Sequence, residues 1–403
     1  MPTRAQVCTW IAAVGLLAPA VAAGQDRTER EIVELIVREG PQASAIRAEA
    51  EVTRREQLAR VAYPNPSVTY SREGAGFTEF FQAEQSLPIF GIRGALSRAG
   101  AEATAAAEAD RDVRLWSLRS DAASAVARIV AGQERLEGAR AQVREVERLI
   151  EILRTREREG EGSKFDRLRA EQELRDTNQI VASAAVALAE ARSTVAGMLP
   201  SNVSLSTVTR SEVDSREPVP VETLMTKAIS TRAELRALQR RGQRTSFEAE
   251  AARKSRFPGP SLFGGVKRAD AVAGRETGGV FGLSIALPLF DSGDHDAARW
   301  EAERARVEAE RTSIEHRIRS EVNAASEVFA LRLGALRQEQ PGAADELVQI
   351  AVVAYREGEV GILELLDAVR TAARARNRDL DLRLDARLAQ ITLERAVGDA
   401  LWP

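Results

Sequence analysis

The sequence predicts a mainly α-helical chain of long antiparallel hairpins with four short β-strands, written twice in tandem. Three observations carry that reading. Marks recur in order about 200 positions apart, a spacing that means two copies of a large unit rather than a solenoid of short repeats. They are Pro64-Asn65-Pro66-Ser67 with Pro258-Gly259-Pro260-Ser261, Pro88-Ile89-Phe90-Gly91 with Pro288-Leu289-Phe290-Asp291, and Arg158-Glu159-Gly160-Glu161 with Arg356-Glu357-Gly358-Glu359. Residues 91–157 contain no proline, and Ala, Glu, Arg and Leu dominate, as in long helices. Aromatic residues gather around four short segments and are scarce elsewhere.

Residues 1–23 read as a secretory signal. Arg4 supplies the positive start, 9–18 a short apolar stretch, and Ala20-Val21-Ala22 or Val21-Ala22-Ala23 a small-residue cleavage site. The run is shorter than the about 20 residues a spanning helix needs, which makes a retained anchor the weaker reading. The only cysteine, Cys8, lies inside this segment, so no lipid anchor and no disulfide are expected. The remainder divides into a first repeat at 24–200, a linker at 201–220 rich in Ser, Thr, Val and Pro, and a second repeat at 221–403. Charge is balanced, with Lys+Arg 57 against Asp+Glu 60, so nothing argues for nucleic acid. No stretch after residue 23 has the length of a transmembrane helix; a membrane protein of this sequence would cross by strands.

Each repeat opens with a charged, Ala-rich helix, 28–62 and 221–256, stopped by Pro-x-Pro because proline cannot continue the ladder. Paired strands follow, 67–72 with 78–87 and 261–268 with 278–287, inside hairpins spanning 67–87 and 261–288. Gly74-Ala75-Gly76 and Ala273-Gly274 are the turn signals. Tyr63, Tyr70, Phe77, Phe80, Phe81 and Phe90 flank the first hairpin; Phe257, Phe263, Phe281 and Phe290 flank the second. Rings near strand ends suit the two boundaries of a transmembrane barrel, although aromatics also favour strands in general. Four strands cannot close a barrel, and an open edge in lipid leaves backbone groups unpaired. Strands of this chain in a membrane therefore require several chains to share one barrel.

A very long helix comes next. In 91–157 the apolar positions Ala122, Ala125, Ile129, Gly132, Leu136, Ala139, Val143, Val146, Ile150 and Leu153 alternate steps of three and four, the 3.5 period of a coiled coil. From Asp291 the second copy shows Ile314, Ile318, Val322, Ala325, Phe329, Leu333 and Leu336, interrupted by Pro341-Gly342 before it resumes over 346–355. Glycine turns then reverse the chain: Gly160-Glu161-Gly162-Ser163 before a return over 164–199, and 358–361 before a return to about 397, since glycine permits the backbone that ends a helix.

This arrangement resembles the outer-membrane efflux protein (TolC-like) family over essentially the whole chain after the signal, nearest its heavy-metal efflux (CzcC-like) branch. The most specific piece is the run from Tyr355 through Gly358, Gly361 and Glu364 to Asp367-Ala368, similar to the family's stretch at the periplasmic tip. A weaker copy runs from Gly160 to Ala170, with Asp166 at the matching acidic position. The resemblance implies a homotrimer with a shared 12-stranded β-barrel in outer-membrane lipid and a helical α-barrel across the periplasm. It also implies a periplasmic adaptor and an inner-membrane efflux pump as partners, and no cofactor.

Within that frame Glu364 and Asp367, three apart on a helix, share a face. Repeated around a threefold axis they form a carboxylate ring that favours cations. Tyr355 and Asp166 complete the expected gate. The tips, with Gly160, Glu161, Gly162, Gly358, Glu359 and Gly361, are the expected adaptor-docking points. The resemblance departs at Val360, where the family's pattern has an arginine: either an inter-helix ion pair is missing or Arg356 supplies it. Asp291-Ser292-Gly293-Asp294-His295-Asp296 reads as helix capping rather than a metal site, and no catalytic arrangement or phosphate loop is found. A soluble periplasmic adaptor or coiled-coil scaffold, and the duct of a type I secretion system, are the competing readings; neither the cargo nor the pump is written in these residues.

Overall fold

A computed structural model describes residues 27–74, 78–205, 207–209, 218–257, 259–271, 274–338 and 342–402. The expected signal at 1–23 lies outside the described residues, as do Phe77, Pro258, Ala273, Pro341 and part of the linker.

The first half begins with strand β1 (Arg27–Thr28) and helix α1 (Glu29–Glu39), opened by a capping box between Thr28 and Glu31. Helix α2 (Pro41–Arg60) follows at once. The single helix expected over 28–62 is thus two helices. Pro41 has no N–H to continue α1, and Gly40 is squeezed: a side-chain carbon there would lie 2.4 Å from the Ile36 carbonyl oxygen and 2.7 Å from that of Met198. Strands β2 (Ser67–Glu73) and β3 (Thr78–Ser86) lead into α3 (Ile92–Glu159), 68 residues and so about 100 Å long. Its expected seam packs in part against α4 (Lys164–Ala196), with Leu188 lying over Gly132 so that a side-chain carbon there would sit 3.3 Å from Leu188 Cδ1.

The linker is not wholly irregular. Val208–Thr209 form β4, which pairs in parallel with β1, and the Gln133 side chain holds Val208 at both its N–H (3.2 Å) and its carbonyl (3.1 Å). The second half opens with α5 (Val221–Thr231) and α6 (Ala233–Lys254), again two helices where one over 221–256 was expected. Arg232, extended between them, sends its buried guanidinium to the carbonyls of Arg395 and Ala396 at 3.0 and 3.1 Å and to Glu321 at 2.8 Å. Strands β5 (Ser261–Ala271) and β6 (Gly274–Ser284) precede α7 (Asp294–Gln338), α8 (Ala343–Arg356) and α9 (Ile362–Val397).

The four longer strands form one antiparallel sheet in the order β2-β3-β5-β6. The hairpin of the first half is thereby joined to that of the second through β3 and β5. Pairing stops earlier than the expected 87 and 288: Leu87 still donates to the Pro260 carbonyl (2.8 Å), but Pro88 and Pro260 have no N–H to extend the ladder. Among the helices, α3 is central, packing on α4, α6 and α9; α8 packs on α9, and α7 on α6 and α9. One apolar core gathers α1, α3 and α4, a second lies under α5 around Phe329 and Leu393, and a third fills the tip.

Candidate functional site: two glycine tips and a one-sided sheet

At the end of α3, Gly160 takes a left-handed φ of 78°, and the N–H groups of Glu161 and Gly162 close onto the Arg156 carbonyl at 2.9 and 3.0 Å. Gly162 is needed for space rather than handedness, since a side chain there would press on the backbone of Arg156 and Glu157. Ser163 then caps α4 by accepting the Phe165 N–H (3.0 Å), which places Asp166 in the first helical turn. At the second tip Gly358 (φ 77°) ends α8, with Glu359 N–H on the Ala354 carbonyl at 2.9 Å. Gly361 starts α9, and the Glu364 carboxylate folds back over it.

Of the expected gate residues the structure brings Tyr355 and Asp166 together. The Tyr355 ring is only 6% exposed, and its hydroxyl donates to Asp166 Oδ2 at 3.4 Å. Burial first, then the Asp166 carboxylate, push the phenol above its ordinary value, against the opposing pull of Arg156. Glu364 and Asp367 stand apart from this pair, both exposed on α9, with Arg374 facing Asp367 at 3.7 Å. Glu161 and Glu359 are exposed on their turns.

Three residues escaped the sequence reading. Arg156 Nη1 donates to the Tyr355 carbonyl at 3.0 Å, with its guanidinium carbon 5.3 Å from the ring centroid. Glu173, buried in α4, accepts Arg370 Nε of α9 at 2.9 Å. A signal existed for Glu173, because Ala170, Glu173, Thr177, Ala184 and Leu188 follow the seam period and make it an acid on an apolar stripe. Arg156 offered none.

The helix start at Asp294 behaves as a cap: Asp291 Oδ1 accepts the Gly293 N–H at 2.9 Å, and Ser292 Oγ donates to Asp294 at 2.6 Å. Among the described residues no group of three His, Cys, Asp or Glu side chains is placed to hold a metal.

The sheet has two unlike faces. The registers put Val68, Tyr70, Phe81, Ala83, Leu262, Val266, Phe281 and Leu283 on one side, because directly opposed residues share a face. That side is open to the surroundings, and Phe281 is 85% exposed. A row of Arg72, Glu79, Arg268 and Thr277 closes its far end. The opposite face is mixed: Ser67, Thr69, Ser71, Gln82, Glu84 and Lys267 lie on it beside the half-buried Phe80, Phe263 and Val280, with Lys267 Nζ 5.0 Å from the Phe80 ring centroid. An exposed apolar face backed by a more polar one suits a membrane barrel wall. At 11 residues each, β5 and β6 have the length of a tilted membrane strand.

Residues 224–399 match the family model described as outer membrane efflux protein. Over 412 residues the chain is 24% identical to the cobalt-zinc-cadmium resistance protein CzcC of Cupriavidus metallidurans, covering 96% of this chain and 97% of that one. In residues 224–399 the chain resembles the outer membrane efflux protein family. Solved structures share the fold of this chain. CusC, described for its folding and transmembrane channel formation, superposes with a TM-score of 0.73 at 17% identity over 92% of each chain. The outer-membrane channel OprN gives 0.73 at 20% identity, covering 92% of this chain and 89% of that one. VceC of Vibrio cholerae gives 0.67 at 16% identity, with 93% and 97% covered. The fold of this chain is therefore that of solved outer-membrane channels.

Proposed function

We propose that three copies of this chain form the exit duct of a tripartite efflux system. A 12-stranded barrel, four strands from each chain, would sit in the outer membrane above an α-barrel that tapers to the two glycine tips. The observation that carries this reading is the one-sided sheet with free edges. Strands β2 and β6 are its outer members, and such edges in lipid require partners. The helical part is open in the same way, with Ile180 and Val186 exposed on α4 and Leu347, Ile350 and Val353 exposed on α8. A soluble scaffold gives no reason for an exposed apolar sheet face.

In this reading 24–200 and 221–403 are two copies of one unit joined by 201–220, and 1–23 directs export. Tyr355 and Asp166 hold the tip, Glu364 and Asp367 ring its mouth, and Gly160, Glu161, Gly162, Gly358, Glu359 and Gly361 receive a periplasmic adaptor linked to an inner-membrane pump. The relation to a cobalt-zinc-cadmium resistance protein favours divalent metal cations as cargo. Cations passing a carboxylate ring are consistent with that choice.

Purified protein in planar bilayers tests the duct directly, together with chemical cross-linking in detergent. Cation-selective currents and a cross-linked trimer are expected. A monomer that stays in solution without detergent and carries no current would overturn the reading.

A further inference from the structure

One arginine bridges the two hairpins at the tip, and it lies on the first of them. Val360 is partly buried against the apolar core of the tip, so that position serves packing. Arg356 is exposed, and among the described residues it makes no ion pair. Arg156 is half-buried at the end of α3, and its main chain and side chain close different turns. Its carbonyl receives the Glu161 and Gly162 N–H groups of the first tip. Its Nη1 reaches across to the Tyr355 carbonyl near the end of α8.

We propose that Arg156 is the positioning residue that keeps the tip closed, a role that rests on the tip being the gate of the duct. An α-helix leaves its last carbonyls without intrahelical partners, and a cation there also complements the helix dipole. The Tyr355 carbonyl already accepts the Gly358 N–H at 3.2 Å, and Arg156 adds a second, cationic donor to it from a helix 199 positions earlier in the chain. Tyr355 is thereby held at two ends, its carbonyl by α3 through Arg156 and its hydroxyl by α4 through Asp166. A shift of the second hairpin away from the first must break both contacts, along with the stacking of the guanidinium on the ring. Lysine is a poor substitute: it keeps the charge but lacks the planar group that bonds and stacks at once.

The test compares wild type, Arg156→Ala, Arg156→Lys, Arg356→Ala and Glu364→Ala/Asp367→Ala, by bilayer conductance and by amide hydrogen exchange in detergent. Arg156→Ala should raise conductance several-fold and speed exchange at Gly358 and Glu359 by about tenfold, the size of one lost charge-assisted hydrogen bond. Amides in the middle of α3 should keep their protection, showing that the variant is folded. Arg156→Lys should recover part of both effects, and Arg356→Ala should match wild type. Wild-type conductance and exchange in Arg156→Ala, or opening by Arg356→Ala, overturns the proposal. If no variant carries current while the folded protein is present, the duct reading fails instead. The exchange result then decides alone whether Arg156 holds α8, and unchanged exchange rejects it.

Discussion

Arg370 of α9 and Glu173 of α4 form an ion pair whose acid is 5% exposed, with Nε to Oε2 at 2.9 Å. It lies above the tip and ties the second helical hairpin to the first. The bond to Glu173 holds the guanidinium proton more tightly than usual.

Removing the arginine would leave a carboxylate in an apolar seam with no partner. Arg370→Ala is expected to cost about 2 kcal/mol, below the roughly 3–5 kcal/mol of a fully buried broken pair because part of the arginine meets solvent. Arg370→Ala/Glu173→Leu should regain much of that loss. Denaturant titration in detergent measures both, and a single variant as stable as wild type would remove the pair's importance.

Glu364→Ala/Asp367→Ala should lower the preference for cations, read as a shift of reversal potential in a salt gradient. Asp367→Ala alone should do less, since Arg374 already faces that carboxylate at 3.7 Å. The shift should be larger at 0.1 M salt, where screening extends to about 10 Å, than at 1 M, where it is about 3 Å. An unchanged reversal potential at low salt would place these acids away from the ion path.

The Tyr355 phenol is pushed up by burial and by Asp166. A raised value means that the folded tip binds this proton more tightly than the unfolded chain does. Its contribution is present below the ordinary tyrosine value of about 10 and is lost as pH rises through the shifted one. Conductance should be flat from neutral pH to about 9 and rise at higher pH, whereas Tyr355→Phe should show no such step. A step that survives in Tyr355→Phe belongs to another group.

Gly265→Ala should disrupt the joint between β3 and β5, because its side-chain carbon would lie 2.2 Å from the Phe81 carbonyl oxygen. The expected loss is about 3 kcal/mol, as for other substitutions that force backbone apart. Gly278→Ala, with nothing within 4 Å, is the matched control. Heat resistance of the detergent-purified assembly compares the two; equal behaviour would show that the joint tolerates a bulge.

Much of this architecture could be read from local signals. The three-four alternation through Ala122, Ile129 and Leu136 marks the buried stripe of α3, and Gly160 and Gly358 mark turns that need a left-handed residue. Pro41 signals the first helix break, although the charged, Ala-rich run around it concealed that signal. Nothing local marks the second break, because Arg232 is extended in order to reach the end of α9. The same limit hides Arg156 and Arg370. Their partners lie 199 and 197 positions away, and a period in one helix does not say which other helix will face it. For the tip, Tyr355 and Asp166 entered separately through family resemblance, while their pairing and the third member of the cluster, Arg156, needed coordinates.

The two long helices differ as mechanical parts. In α3 an unbroken ladder of hydrogen bonds runs from just beneath the sheet to the first tip, so a twist applied at one end arrives at the other. Its counterpart is divided into α7 and α8, and α8 begins at Gly342 with a φ of 100°. The first hairpin therefore carries its load on one continuous rod, whereas the second is assembled from two shorter helices, the lower of them capped by a left-handed glycine.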